Sequence, residues 1–180
     1  LDRERAVERR LPGAAELRAY EAWWDTAGAS VSAAVDRAGT PWLRMFDEYG
    51  TRIDRILFPP DYRTLLERGY REGVVAAAFE QRSLVTPCLL GYVTSFYDAG
   101  LYCPYTVSLA TAVPLEKYGD PVVCARFLPR LLARDGTAWQ GATWMTEAKG
   151  GSDLGTTVET VARRDGDAWR LTGDKHFASN

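Results

Sequence analysis

The sequence predicts an α+β protein: a helical bundle domain over residues 1–136, then the start of an antiparallel β domain over 137–180. Three observations carry this reading. Small and apolar residues recur at helical spacing up to about Gly136; Leu65, Leu66, Gly69, Tyr70, Val74 and Ala77 fall on one stripe. Beyond Gly136 that spacing gives way to β-branched Thr157, Val158, Thr160 and Val161, and then to alternation through Trp169 and Leu171. Between these two runs Asp165-Gly166-Asp167 reads as a hairpin turn. Helices followed by strands is the α+β order.

Composition narrows the class. Apolar residues make up 46% and charged residues 26%, ordinary values for a globular protein and too apolar for disorder over most of the length. The formal net charge of -2 gives no electrostatic reason to expect nucleic acid as a partner. No uninterrupted apolar run approaches the ~20 residues that span a bilayer. Cys88, Cys103 and Cys124 have no CxxC spacing and sit among apolar neighbours, so buried free thiols in a reducing cytoplasm are expected. With His176 as the only histidine, no metal site is expected.

In chain order, the charged run 3–10 reads as a solvated helix face. Residues 12–38 form a helix or two, ended near Gly39-Thr40-Pro41. Gly50, Pro59 and Pro60 break the stretch 42–60, which reads as a loop. A helix is expected over 61–82 with Asp61 as its N-cap. Residues 87–112 are almost wholly apolar or small, punctuated by Gly91, Gly100 and Pro104, and such a helix belongs in the middle of a bundle. Two shorter helices follow. Gly119-Asp120-Pro121 supplies a stop, an N-cap and a proline at the first helical position. The second of the two turns Val123, Phe127, Leu128, Leu131 and Leu132 inward and closes at Asp135-Gly136. Residues 138–146, 156–163 and 168–172 read as strands. The chain stops within what reads as one more strand, Lys175 to Asn180. The remainder of the fold is therefore expected to be missing, disordered or supplied by another chain, since an abandoned sheet leaves ladder groups unpaired.

The segment Trp144-Met-Thr-Glu-Ala-Lys-Gly-Gly-Ser-Asp153 is the sharpest chemical feature. Adjacent glycines let backbone N–H groups turn toward one point, and Ser152 and Thr146 add hydroxyl donors, a set suited to an anion or a polar ring. Taken alone, Gly-Gly-Ser-Asp is more often a solvated turn. Glu147 and Asp153 read as caps of local backbone, not as a catalytic pair.

Thr146-Glu147, the Gly-Gly-Ser-Asp step, the Asp-Gly-Asp hairpin and then Leu171-Thr-Gly-Asp-Lys-His-Phe-Ala-Ser-Asn180 resemble the acyl-CoA dehydrogenase family. Lys117-Tyr-Gly-Asp-Pro121 and Arg126-Phe-Leu-Pro-Arg-Leu-Leu-Ala133 look like that family's helix before its β domain. The resemblance covers roughly residues 61–180, so 1–60 is expected as an N-terminal extension. Gly100-Leu-Tyr-Cys-Pro104 and the paired Gly150-Gly151 look like the branch of the bacterial alkylation-response flavoprotein.

The resemblance implies an N-terminal helical bundle and the first part of a middle antiparallel β-barrel-like domain, without the C-terminal helical domain. It implies FAD as cofactor and oxidoreductase chemistry, the α,β-dehydrogenation of an acyl thioester linked to CoA or a carrier protein. The Met145 backbone and Thr146 would meet the pyrimidine side of the isoalloxazine, and Gly151 and Ser152 the pyrophosphate. Phe177 falls where most members carry a flavin-packing Trp, and Ser179, after Ala178, where a Thr hydroxyl approaches N5. As His176 neighbours Phe177 in a strand, it is expected on the opposite face. The family's catalytic base lies on the C-terminal domain, so no catalytic residue is assigned and the fragment alone is expected to be inactive. A homodimer or homotetramer, or pairing with a chain that carries the missing part, is implied; the electron acceptor, electron-transfer flavoprotein or oxygen, stays open. Two other readings stand beside this one: the same fold and flavin in another oxidation or a DNA-protective role, and a cofactor-free structural subunit.

Overall fold

A computed structural model describes residues 13–178 and residue 180; the charged run 3–10 and Ser179 lie outside the described residues. The first helical stretch comprises α1 (Ala14–Trp23), a π-helical segment (Trp24–Gly28) and α2 (Ala29–Ala38). The wide π turn lets two adjacent indoles pack inward. Trp24 is fully buried, stacked on Tyr97 with ring centroids 5.3 Å apart. Gly28 accommodates it, because a Cβ there would lie 2.5 Å from the Trp24 ring.

Residues 42–60 depart from the loop expectation. They form a two-stranded antiparallel ribbon, β1 (Trp42–Phe46) and β2 (Arg52–Leu57), with Trp42 opposite Leu57 and a register shift between Arg44 and Phe46. Gly50 is the turn residue of this ribbon: its φ is 81°, and the Asp47 carboxylate accepts the N–H groups of Tyr49 and Thr51. A glycine that reads as a breaker is here the tip of a hairpin.

Helix α3 (Pro60–Glu72) buries Leu65, Leu66, Gly69 and Tyr70, the predicted stripe, and the chain beyond it buries Val74 and Ala77. Pro60 takes the first helical position, which places Asp61 one residue inside the helix instead of at its cap. The helix also ends ten residues early. Gly73, at φ 93°, returns its N–H to the Gly69 and Tyr70 carbonyls. Arg134 reinforces that stop, donating to the Glu72 carbonyl at 3.1 Å and clasping Glu80 of the short helix α4 (Ala77–Glu80) at 2.5 Å. A cation at the carbonyl end of a helix complements its dipole.

The apolar run is two helices, α5 (Val85–Tyr97) and α6 (Ala99–Tyr118), parted by Asp98, whose carboxylate caps α6 through the Leu101 N–H at 2.9 Å. The first of the two shorter helices expected after this run is thus the end of α6. Neither α5 nor α6 is enclosed on all sides: α5 presents Val85, Cys88, Tyr92 and Phe96 outward, and Cys103 of α6 is exposed as well. The thiols are free, but only Cys124 is even partly buried. In α7 (Pro121–Leu131) the Asp120 carboxylate accepts the Val122 N–H, as the Gly-Asp-Pro step predicts. Leu131 is buried, whereas Val123 faces outward.

Buried tyrosines lock the bundle. Tyr105 of α6 donates to the Leu65 and Leu66 carbonyls of α3, and Gly69 exists to let that phenol in, since a Cβ there would overlap it. Tyr20 of α1 bonds Thr94 of α5 at 2.9 Å, and Tyr70 bonds Ser108 at 2.8 Å. Burial raises the Tyr70 phenol to about 12, so it remains a neutral hydrogen-bonding group.

After α7 the chain turns at 135–137, and residues 138–146 form no strand ladder, contrary to expectation. Its polar groups find side chains of α6: Gly141 N donates to Ser108 Oγ at 3.0 Å, and Thr111 Oγ1 donates to the Ala142 carbonyl at 3.3 Å. The Ser108 hydroxyl therefore joins the bundle core to this segment. Residues 154–157 form a short helix, α8 (Leu154–Thr157), not a strand. The Asp153 carboxylate takes the Thr156 hydroxyl at 2.6 Å and its carbonyl takes that of Thr157, which curls the backbone. Strands β3 (Val161–Asp165) and β4 (Ala168–Thr172) then pair antiparallel with Asp165 opposite Ala168, leaving Gly166-Asp167 as the two-residue turn. Among the described residues no sheet exceeds two strands, and no helix is long and apolar enough to cross a membrane.

Candidate functional site

The Thr146-Glu147 and Gly150-Gly151 pairs face each other across a tight turn. Glu147 and Gly150 exchange backbone hydrogen bonds at 2.9 and 3.1 Å. Gly150 tolerates no side chain because a Cβ would overlap Thr157 Oγ1. Gly151 lies against Thr146, where a Cβ would sit 3.5 Å from Thr146 Cγ2. Met145, Gly151 and Ser152 are exposed and Thr146 half-buried; the hydroxyls of Thr146 and Ser152 have no hydrogen-bond partner among the described residues.

The far end of the motif returns to the same place. His176 N donates to the Thr146 carbonyl at 2.9 Å, and the Asn180 amide donates to the Gly141 carbonyl at 2.7 Å. Residues 174–178 are not a strand, because Phe177 adopts a left-handed φ of 55° and bends the chain. In consequence His176 and Phe177 do not face opposite ways; their rings lie 4.2 Å apart. Phe177, 74% exposed, and the exposed Ala178 thus follow directly on the residue bonded to Thr146. The structure brings Met145, Thr146, Gly151 and the 176–178 bend together, with Ser152 at the loop's outer end.

Glu147 and Lys175 are the part of this site that residue patterns did not reveal. Lys175 Nζ lies 2.6 Å from Glu147 Oε1 and 3.2 Å from the Met145 carbonyl. The same carboxylate accepts the N–H of Glu159 at 2.5 Å and of Thr160 at 3.1 Å, and its side chain is only 3% exposed. The expectation that Glu147 caps local backbone describes half of what it does; nothing in the sequence spacing paired it with Lys175. Lys175 first, with Thr160 and Glu159, holds the Glu147 carboxyl down at about 2, against 4.5 for the free group. A depressed carboxyl contributes stability that is complete above about pH 4.5 and disappears as pH falls through about 2. Carbon-13 NMR titration of Glu147 should show a midpoint near 2, and one near 4.5 would contradict the ion pair.

Among the described residues no cluster could hold a metal ion. A cleft of about 390 Å³ is lined by Ala142, Trp144, Thr160, Leu171, Gly173 and the Lys175 of this ion pair.

A helical bundle running into a Thr-Glu edge met by a Gly-Asp-Lys segment is the front part of an acyl-CoA dehydrogenase fold. Residues 4–136 match the family described as the adaptive response protein AidB N-terminal domain, and the chain belongs to it. It is 29% identical to acyl-CoA dehydrogenase family member 11 of Caenorhabditis elegans over 98% of its own length, and 26% identical to putative acyl-CoA dehydrogenase AidB of Escherichia coli strain K12 over 77%. Among solved structures, Caenorhabditis elegans ACDH-11 in complex with C11-CoA superposes with a TM-score of 0.79 at 25% identity over 94% of this chain. The apo-form of Bd2924 superposes at 0.73 with 33% identity over 82%. The chain spans about a third of the length of each: 31%, 28%, 31% and 31%.

Proposed function

We propose that this chain is the N-terminal portion of an FAD-dependent, acyl-CoA dehydrogenase-like oxidoreductase acting on an acyl thioester, with residues 1–136 as its helical domain and 137–180 as the first part of its middle β domain. The observation that carries the reading is the hydrogen bond from His176 N to the Thr146 carbonyl, which joins the two halves of the motif into one edge. The donor set fits the cofactor. Thr146 and the Met145 backbone would hold the polar side of the flavin ring, Gly151 and Ser152 the pyrophosphate, and Phe177 with Ala178 the ring face. Exposed hydroxyls and a glycine backbone suit phosphate oxygens, as charge-assisted hydrogen bonds to an anion are among the stronger ones. Bound FAD would supply a hydride acceptor for the substrate β-carbon, while a base outside these residues takes the α-proton. The relative solved with C11-CoA supports an acyl thioester as the substrate class.

Anaerobic mixing of the full-length protein with saturated acyl-CoAs of graded length tests this. Bleaching of the flavin band near ~450 nm, a property of the cofactor, is expected with at least one chain length. A flavin-loaded protein that no acyl thioester reduces would overturn the substrate class.

A further inference from the structure

We propose that Glu147 and Lys175 are positioning residues that hold the Met145-Thr146 edge in its flavin-receiving conformation. The inference rests on the flavin reading above and adds to it how the edge is fixed. Three chain segments meet at one carboxylate: Glu147 itself, the Glu159-Thr160 approach to β3, and Lys175. Lys175 reaches past the carboxylate to the Met145 carbonyl, and one residue further on His176 N takes the Thr146 carbonyl. Both carbonyls of the edge are thereby engaged by the consecutive residues Lys175 and His176. The N–H groups of Met145 and Thr146 have no partner among the described residues, and neither has the Thr146 hydroxyl. What the edge leaves unpaired among the described residues are donors, the group type that complements a ring bearing carbonyl oxygens. Without Lys175 the Met145 carbonyl loses its cation and a nearly buried carboxylate is left unpaired, a costly arrangement that the chain would relieve by moving.

The test is made on the full-length protein with Lys175→Met, Lys175→Arg and Glu147→Gln, with two readouts. Hydrogen exchange should show lost protection at the amides of Glu159, Thr160 and His176 in Lys175→Met, with α5 and α6 unchanged. FAD titration should show about tenfold weaker binding, the size of one lost charge-assisted hydrogen bond, together with a shifted flavin absorption maximum. Lys175→Arg keeps the charge and should recover both. Glu147→Gln keeps an acceptor for the two amides and should move the same readouts less, which serves if Lys175→Met fails to fold. Unchanged protection in Lys175→Met overturns the proposal. So does lost protection with parental FAD affinity and spectrum, which would make the pair structural only. A parent that binds no FAD ends the flavin reading instead, and the positioning role with it; exchange in the variants then still shows whether the clamp itself exists.

Discussion

Trp24→Ala is expected to destabilise the helical bundle by about 3–5 kcal/mol, the range for truncating a buried large aromatic. Trp24 is fully buried and touches rings on three sides: Tyr97 stacked at 5.3 Å, Trp23 edge-on at 5.1 Å and Tyr20 edge-on at 6.2 Å. Its removal leaves a hole where the π segment meets α5. Gly28, which lies against the indole, has no side chain to fill that hole. The loss combines the transfer free energy of the indole with the cost of the cavity it leaves in a close-packed interior. In urea unfolding followed by far-ultraviolet circular dichroism, the midpoint of the helical transition should fall while its slope stays constant. A loss below about 1 kcal/mol, the size of an ordinary surface change, would mean that Trp24 is not part of the core.

Ser152→Trp is expected to weaken FAD binding by about tenfold to a hundredfold, from the loss of one charge-assisted hydrogen bond worth ~1.5–3 kcal/mol. The indole would also fill the loop mouth, so that range is a floor. Ser152 is exposed and its hydroxyl has no partner among the described residues, so replacing it costs the fold little. Retention of flavin through gel filtration, variant against parent, checks this. A Ser152→Trp protein that keeps its flavin as tightly as the parent would remove Ser152 and the adjacent Gly151 from the site.

The parts of the fold legible in the sequence are those fixed by local chemistry. The stripe from Leu65 to Ala77, the Asp120 cap and the Gly166-Asp167 turn each follow from side-chain period or backbone preference at neighbouring positions. What escaped depends on contacts distant in sequence. The end of α3 is decided by Gly73 together with Arg134, whose partner Glu72 lies 62 positions earlier, and no period in either segment announces it. The 42–57 ribbon was hidden because Gly50 and two prolines read as breakers, although the residues flanking the turn are suited to strands. Segment 138–146 has strand composition but bonds to the Ser108 and Thr111 side chains instead of a ladder, a choice made by α6.

The candidate site divides in the same way. Met145, Thr146, Gly151, Ser152, Phe177 and Ala178 belong to a motif legible in the sequence, as does Ser179, which lies outside the described residues. The Glu147–Lys175 pair, which ties those pieces together, spans 28 positions and left no spacing to find.

The central claim is that the edge at Thr146 and its facing loop hold a flavin. Isothermal titration of FAD into flavin-stripped, full-length protein tests it most directly. The account predicts one FAD bound per chain, with affinity reduced in Ser152→Trp and in Lys175→Met. A parent protein that takes up no FAD, or one whose affinity ignores both substitutions, would contradict it.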